Sequence, residues 1–230
     1  MAIFTIADLH LSLGENKPMD IFKGWNNYEN KIFENWNKLI CANDTVIIPG
    51  DISWAMSLEE SLTDLSFLND LPGKKYILKG NHDYWWNTAK KMENFFNQNG
   101  LTSISIIHNN SVLVENKLIC GTRGWIYDDK KITQNDIKVL KREAGRLEAS
   151  ICYNDDPNLE RIVFMHYPPV FENIRCDEIM YILHKYNIKR VYYGHIHGPA
   201  HSLAVNGVLE GIEFRLVSCD YTDFTPILVR

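Results

Sequence analysis

The 230-residue chain is 45% hydrophobic, enough to bury a substantial core, and its length suits one domain over residues 1–230. A net charge of -5 with a pI near 5.9 excludes a general attraction to DNA, RNA or an anionic membrane. The five cysteines (Cys41, Cys120, Cys152, Cys176, Cys219) are odd in number, widely spaced and lack a C-x-x-C pair, which excludes a disulfide framework or a thiolate zinc site and implies a reducing compartment.

In chain order, Met1 to Ala7 predicts a first strand, with neither the basic stretch nor the cleavage site of a leader. No later apolar run reaches transmembrane length, so the expectation is a cytoplasmic protein without a membrane partner. Residues Tyr28 to Ile40 place Ile32, Phe33, Trp36, Leu39 and Ile40 at helical spacing. A strand over TVIIP (45–49) precedes a second helix predicted from Leu58 to Leu68, with Ser57 as N-cap and Glu60 three residues on. The run KYILK (75–79) predicts a third strand, and Thr88 to Asn97 a third helix ended by Gly100. Strand–helix–strand order of this kind implies right-handed crossovers and a parallel sheet.

The next segment changes character. Ser103–Ile107, Ser111–Glu115 and Leu118–Gly121 are short runs parted by Asn109-Asn110 and Asn116-Lys117, the pattern of antiparallel hairpins. A helix from Asp136 to Ile151, capped by Asp136, follows. Strands over RIVFM (161–165) and RVYY (190–193) flank a helix over Glu178 to Tyr186, and Gly211–Ser218 and Pro226–Val229 return to strand composition. The expected fold is α/β, two packed sheets with helices on their outer faces.

Five polar clusters follow directly on these apolar runs: Asp8-Leu9-His10, Gly50-Asp51, Gly80-Asn81-His82-Asp83, His166, and Gly194-His195-Ile196-His197. Singly, each reads as ordinary turn chemistry; Asp-x-His and Gly-Asp are bland, and only the last two multi-residue clusters exceed what a turn needs. Together they are informative, because open α/β sheets place ligands beyond the carboxyl ends of their strands. One crevice would then collect imidazole, carboxylate and amide donors sufficient for two divalent transition-metal ions, with Mn, Fe or Zn favoured over Mg or Ca.

The ordered series from Asp8 to His197 resembles the calcineurin-like metallophosphoesterase superfamily, and all five of its blocks are present. The resemblance implies a four-layer α/β/β/α sandwich of two mixed sheets and a dinuclear metal centre. Carried onto this sequence, it implies that Asp8, His10 and His197 hold one ion, and that Asn81, His166 and His195 hold the other, with Asp51 bridging. It also implies that His82 is a non-ligand histidine that protonates the leaving oxygen or stabilises charge on the phosphoryl group, and that Asp83 orients its imidazole by a hydrogen bond. Two ions about 3.5–4 Å apart need a shared anion, and solvent between them ionises to the hydroxide nucleophile of an in-line displacement. The expected activity is hydrolysis of a phosphate mono- or diester, with a phosphorylated small molecule or nucleotide as substrate. A catalytically silent scaffold on the same fold would lack a ligand or His82, and every position is filled.

Other residues have weaker claims. Arg123, flanked by Gly121 and Gly124, reads either as a turn arginine or as a guanidinium reaching the substrate phosphate. His201 reads as lining the pocket or lying on its rim. Trp54, Tyr84, Trp85 and Trp86 adjoin the clusters and suit helix packing better than stacking on a substrate ring. His108 and His184 read as turn and surface residues. The long insert from Tyr84 to Met165 is where specificity is expected to be shaped.

Overall fold

The computed structural model describes residues 1–126 and 132–230. Two large sheets face each other. The first contains β1 (Ile3–Thr5), β2 (Thr45–Pro49), β3 (Lys74–Leu78) and β4 (Ile104–Ile106), all parallel, with β13 (Ile227–Leu228) antiparallel against β1. The second contains β5 (Val112–Val114), β6 (Lys117–Thr122), β7 (Glu160–Met165), β10 (Arg190–Tyr193), β11 (Gly207–Leu209) and β12 (Ile212–Leu216). Their spatial order is β11-β12-β10-β7-β6-β5, with a parallel centre and an antiparallel strand at each edge. A small ribbon of β8 (Val170–Phe171) and β9 (Ile174–Arg175) stands apart.

Strand alternation explains the layering. In β2, Val46 and Ile48 point to an outer core shared with Ile32 and Trp36 of helix α1 (Tyr28–Leu39), while Ile47 points between the sheets. In β7, Val163 and Met165 face the other outer core, and Ile162 and Phe164 face inward. The helices cover these outer faces. Helices α1, α2 (Leu62–Asp70) and α3 (Ala89–Gln98) pack on the first sheet, α4 (Gln134–Cys152) and α5 (Asp177–Lys185) on the second. Between the sheets lie Ile3, Ile47, Leu78, Ile162 and Phe164, whose ring stacks on Tyr192 at 5.2 Å. The four-layer α/β/β/α architecture read from the sequence is the one observed.

Three local expectations need correction. The run Ser103–Ile107 does not form a hairpin with its successor: β4 pairs in parallel with β3, and the chain crosses to the second sheet at Asn109-Asn110, so that of these three runs the last two alone form a hairpin, β5–β6. Apolar alternation specifies a strand but not its partner. Helix α4 begins at Gln134; Thr133 is its N-cap, its hydroxyl accepting from the Asp136 amide, while the Asp136 carboxylate accepts from the Thr133 amide. Asp136 is thus the third helical residue of a capping box. Ser57 and Glu60 make the same reciprocal pair, yet on a turn, and α2 starts only at Leu62.

Lys75 is fully buried in β3 and donates from Nζ to the carbonyls of Asn69, Leu71 and Gly73 and to Ser103 Oγ. It closes the carboxyl end of α2, where helix carbonyls lack partners. Lys75→Met should destabilise the fold by about 2–4 kcal/mol, since the acceptors stay buried, read as a lowered urea midpoint at unchanged slope. Burial pulls the Lys75 ammonium down to about 8, from 10.5 in the unfolded chain. The unfolded state then holds the extra proton between pH 8 and 10.5, so the wild-type advantage should widen across that window.

Candidate metal centre

The carboxyl ends of both sheets meet at one seam. Ala7, just past β1, and Ser218, just past β12, form a parallel bridge, with the Ala7 amide donating to Val217 at 2.8 Å and the Cys219 amide to Ala7 at 2.9 Å. Strand ends from two sheets therefore empty into one crevice. The backbone there is contorted. Asp8, His10, Asp51 and His195 all have positive φ (60°, 46°, 52° and 72°), a region sparsely used by side-chain-bearing residues. Two glycines permit the close approach. A Cβ on Gly80 would lie 2.1 Å from Asp51 Oδ1, and one on Gly194 would lie 2.5 Å from Asp8 Oδ2.

Two donor groups result. The ligand-type atoms of Asp8, His10 and His197 lie within 4.8 Å of one another, as do those of Asp51, His166 and His195. Asp51 Oδ2 stands between them, 3.8 Å from His10 Nε2 and 3.5 Å from His166 Nε2. His166 Nδ1 lies 3.2 Å from the Pro49 carbonyl, which fixes the proton on that nitrogen and leaves a lone pair on Nε2. That lone pair faces Asn81 Oδ1, another acceptor, at 2.6 Å. Two lone pairs so close are the arrangement a shared cation resolves. His197 is similar: Nδ1 lies 2.9 Å from Asp220 Oδ1, while Nε2 is buried without a hydrogen-bond partner, 3.9 Å from Asp8 Oδ1.

The electrostatics also suit a cation. Burial pushes the Asp8 carboxyl up to about 8, with the charge of Asp51 adding and His197 opposing. Burial likewise raises Asp51. His166 and His195 move the other way, to about 3 and about 2, burial again leading and neighbouring imidazoles adding, whereas His197 is held up at about 9, its burial outweighed by the hydrogen bond to Asp220 and the charge of Asp8. Neutral imidazoles beside carboxylates form a nitrogen and oxygen donor set that fits divalent transition metals. The residues present fit such ions.

Asp83 does not fill its expected place. Its fully buried carboxylate accepts from the amides of Gly80 (2.7 Å), Asp51 (2.9 Å) and Ile52 (2.8 Å) and from the Trp85 indole (3.1 Å). It ties the Gly80 turn to the Gly50-Asp51 turn, and His82 Nδ1 is buried without a hydrogen-bond partner. The His82 ring is placed by packing instead, 4.5 Å from Trp54, while its amide donates to Asp51 Oδ1 at 2.8 Å. His10 stacks on the same indole at 4.9 Å. Trp54 thus supports two site histidines.

His201 stands behind His197, with Nε2 3.2 Å from Asp220 Oδ2. Asp220 also accepts from the Gly198 amide. This aspartate was missed in the sequence, although it follows the Gly211–Ser218 run as the other polar clusters follow theirs. A carboxylate behind an imidazole fixes the ring and raises its basicity. Arg123 lies beside His166: its carbonyl accepts from the Tyr167 amide at 2.9 Å, and its guanidinium lies over Trp125. The insert expected to shape specificity is described except for residues 127–131. Of the aromatics, Trp85 is buried core, Trp86 is partly buried and Tyr84 is exposed. His184 pairs with Glu210 on the surface. The described cysteines are free, with Cys120, Cys176 and Cys219 buried. No described helix is long and apolar enough to cross a membrane.

Comparison with known proteins bears on the fold and the family. A protein of unknown function from Aquifex aeolicus superposes with a TM-score of 0.53 at 19% identity, covering 99% of this chain and 95% of its own. The phosphopantetheinyl hydrolase of Mycobacterium tuberculosis gives 0.55 at 14% identity over 99% and 95% of the two chains. A Thermus thermophilus protein gives 0.58 at 12% identity over 99% and 97%. At such identities these likenesses concern the fold. No curated protein matches the sequence. The family model for calcineurin-like phosphoesterases matches residues 1–199, which spans the site from Asp8 through His197. The chain belongs to the calcineurin-like phosphoesterase family.

Proposed function

We propose that this chain is a metal-dependent phosphoesterase that hydrolyses a phosphate mono- or diester of a small molecule or nucleotide. In this reading Asp8, His10 and His197 hold one divalent transition-metal ion (Mn, Fe or Zn), Asn81, His166 and His195 hold a second, and Asp51 serves both. The observation that carries it is the position of Asp51 Oδ2 between two Asp/His donor groups contributed by both sheets. Such ions, when bound, supply Lewis acidity and lower the pKa of coordinated water.

The chain's own groups do the rest. Asp8 and Asp51 provide the anionic charge that the site needs. Asp220 holds the proton on His197 Nδ1, so that Nε2 faces inward. His82, an imidazole outside both donor groups, serves as proton donor to the leaving oxygen. Asp83 keeps the Gly80 and Gly50 turns in register, a positioning role.

The test is reconstitution with Mn, Fe or Zn, followed by metal analysis and a screen of chromogenic mono- and diesters. Two ions per chain and hydrolysis abolished by chelator are expected. At most one tightly bound ion would overturn the paired site, and no hydrolysis of any ester by the loaded chain would overturn the activity.

A further inference from the structure

Beside the candidate metal centre lies a cavity of about 520 Å³, lined among others by Lys79, Trp86, Arg123, Arg142, Glu143 and Arg146. It opens between the ends of β3 and β6, and two of its walls lead into the site: Lys79 directly precedes Gly80-Asn81, and the Arg123 backbone is hydrogen-bonded to Tyr167, next to His166. Four cationic side chains here face one carboxylate, an excess of three positive charges in a chain whose net charge is -5.

Charge compensation of Glu143 does not account for that excess. Glu143 is fully buried and both its oxygens are already served, Oε1 by Arg146 at 2.7 Å and Oε2 by Thr122 Oγ1 at 2.7 Å. Arg123 and Arg142 stand 3.8 and 3.9 Å from the same carboxylate, outside hydrogen-bonding distance. Neither guanidinium is hydrogen-bonded to that carboxylate; Arg142 is exposed at the cavity mouth, and Arg123 Nε is a buried atom without a hydrogen-bond partner. Planar guanidinium forks converging on a cavity, with a carboxylate behind them to hold them together, suit the several acceptor oxygens of a tetrahedral phosphate. A neutral ligand would leave those charges uncompensated.

We propose that this cavity receives a second, non-scissile phosphate group, so that the preferred substrates carry two phosphoryl groups, one at the metal centre and one held by Arg123, Arg142 and Arg146. This deepens the phosphoesterase reading and rests on it for the word substrate; the binding site itself stands on the cavity alone.

Calorimetric titration of the metal-loaded chain with adenosine 5′-monophosphate, adenosine 5′-diphosphate and adenosine 3′,5′-bisphosphate separates the alternatives. At least one of the two-phosphate ligands should bind tenfold or more tightly than the monophosphate. Arg142→Gln, which keeps the Arg146–Glu143 contact, should cut that preference at least threefold. Arg142→Gln with Arg146→Gln should reduce it to within twofold, and Arg146→Lys should retain most of it. Melting temperatures of the variants show whether the Glu143 region still folds, and the single Arg142 change serves if the double variant does not. Equal binding of all three ligands by the wild type, or a preference that survives Arg142→Gln undiminished, overturns the proposal. If inorganic phosphate alone loses affinity in the variants while the adenosine ligands are not discriminated, the cavity holds a free anion and the substrate assignment falls. Failure of the phosphoesterase reading looks different: no chromogenic ester is hydrolysed, whatever the titrations give.

Discussion

Asp51→Asn should strip metal from both donor groups at once, lowering content from two ions per chain to below one. Its hydrolysis should fall by at least the roughly 10²–10³-fold that follows loss of one major electrostatic stabiliser. The reason is positional. Asp51 Oδ2 lies within 4 Å of a histidine nitrogen from each group, whereas His10 or His195 contributes to one group alone. Asparagine keeps the shape and one acceptor but removes the charge, so two neighbouring dications would lose the anion that offsets their repulsion. His10→Ala and His195→Ala should each cost principally one ion. Metal analysis on the three variants after identical reconstitution decides the matter, and equal losses across all three would contradict the shared role of Asp51.

His82→Ala should keep both ions and yet hydrolyse roughly 10²–10⁴-fold more slowly, the range for loss of a general acid. The His82 ring lies outside both donor groups, so metal content is insulated from its removal. The deficit should depend on the leaving group. A p-nitrophenolate departs without a proton, while an alkoxide does not, so alkyl esters should suffer more. Equal losses for both ester types would make His82 a stabiliser of phosphoryl charge instead. Loss of a metal ion in this variant would overturn the ligand allocation.

The sequence made the strand ends legible because buried parallel strands leave continuous apolar runs, and the donors follow those runs directly. Each cluster was weak alone; their common position at strand ends joined them. What it could not disclose was partnership. Asp83 sits beside His82 in sequence, yet its carboxylate turns toward the Gly50-Asp51 backbone, because buried amides there have no other acceptor. Asp220 was invisible as a site residue because its meaning depends on His197, 23 positions away. The crossing of the chain between sheets at Asn109-Asn110 was hidden for the same reason, since alternation fixes which face is buried but not which strand is next to it. The group of arginines around Glu143 is likewise assembled by packing from α4 and the residue just past β6, and no spacing announces it.

The left-handed backbone at Asp8, His10, Asp51 and His195 sets the fold's interest in stability against its chemistry. Each such residue holds a conformation that glycine adopts freely and that other residues adopt at a cost on the order of 1 kcal/mol. Variants selected for heat resistance alone, with no demand for turnover, should therefore drift toward glycine or asparagine at positions 8, 51 and 195 before the sandwich core changes at all. The residues most exposed to loss under relaxed selection would be those that aim the donors, and a thermostable descendant of this chain would be an inert one.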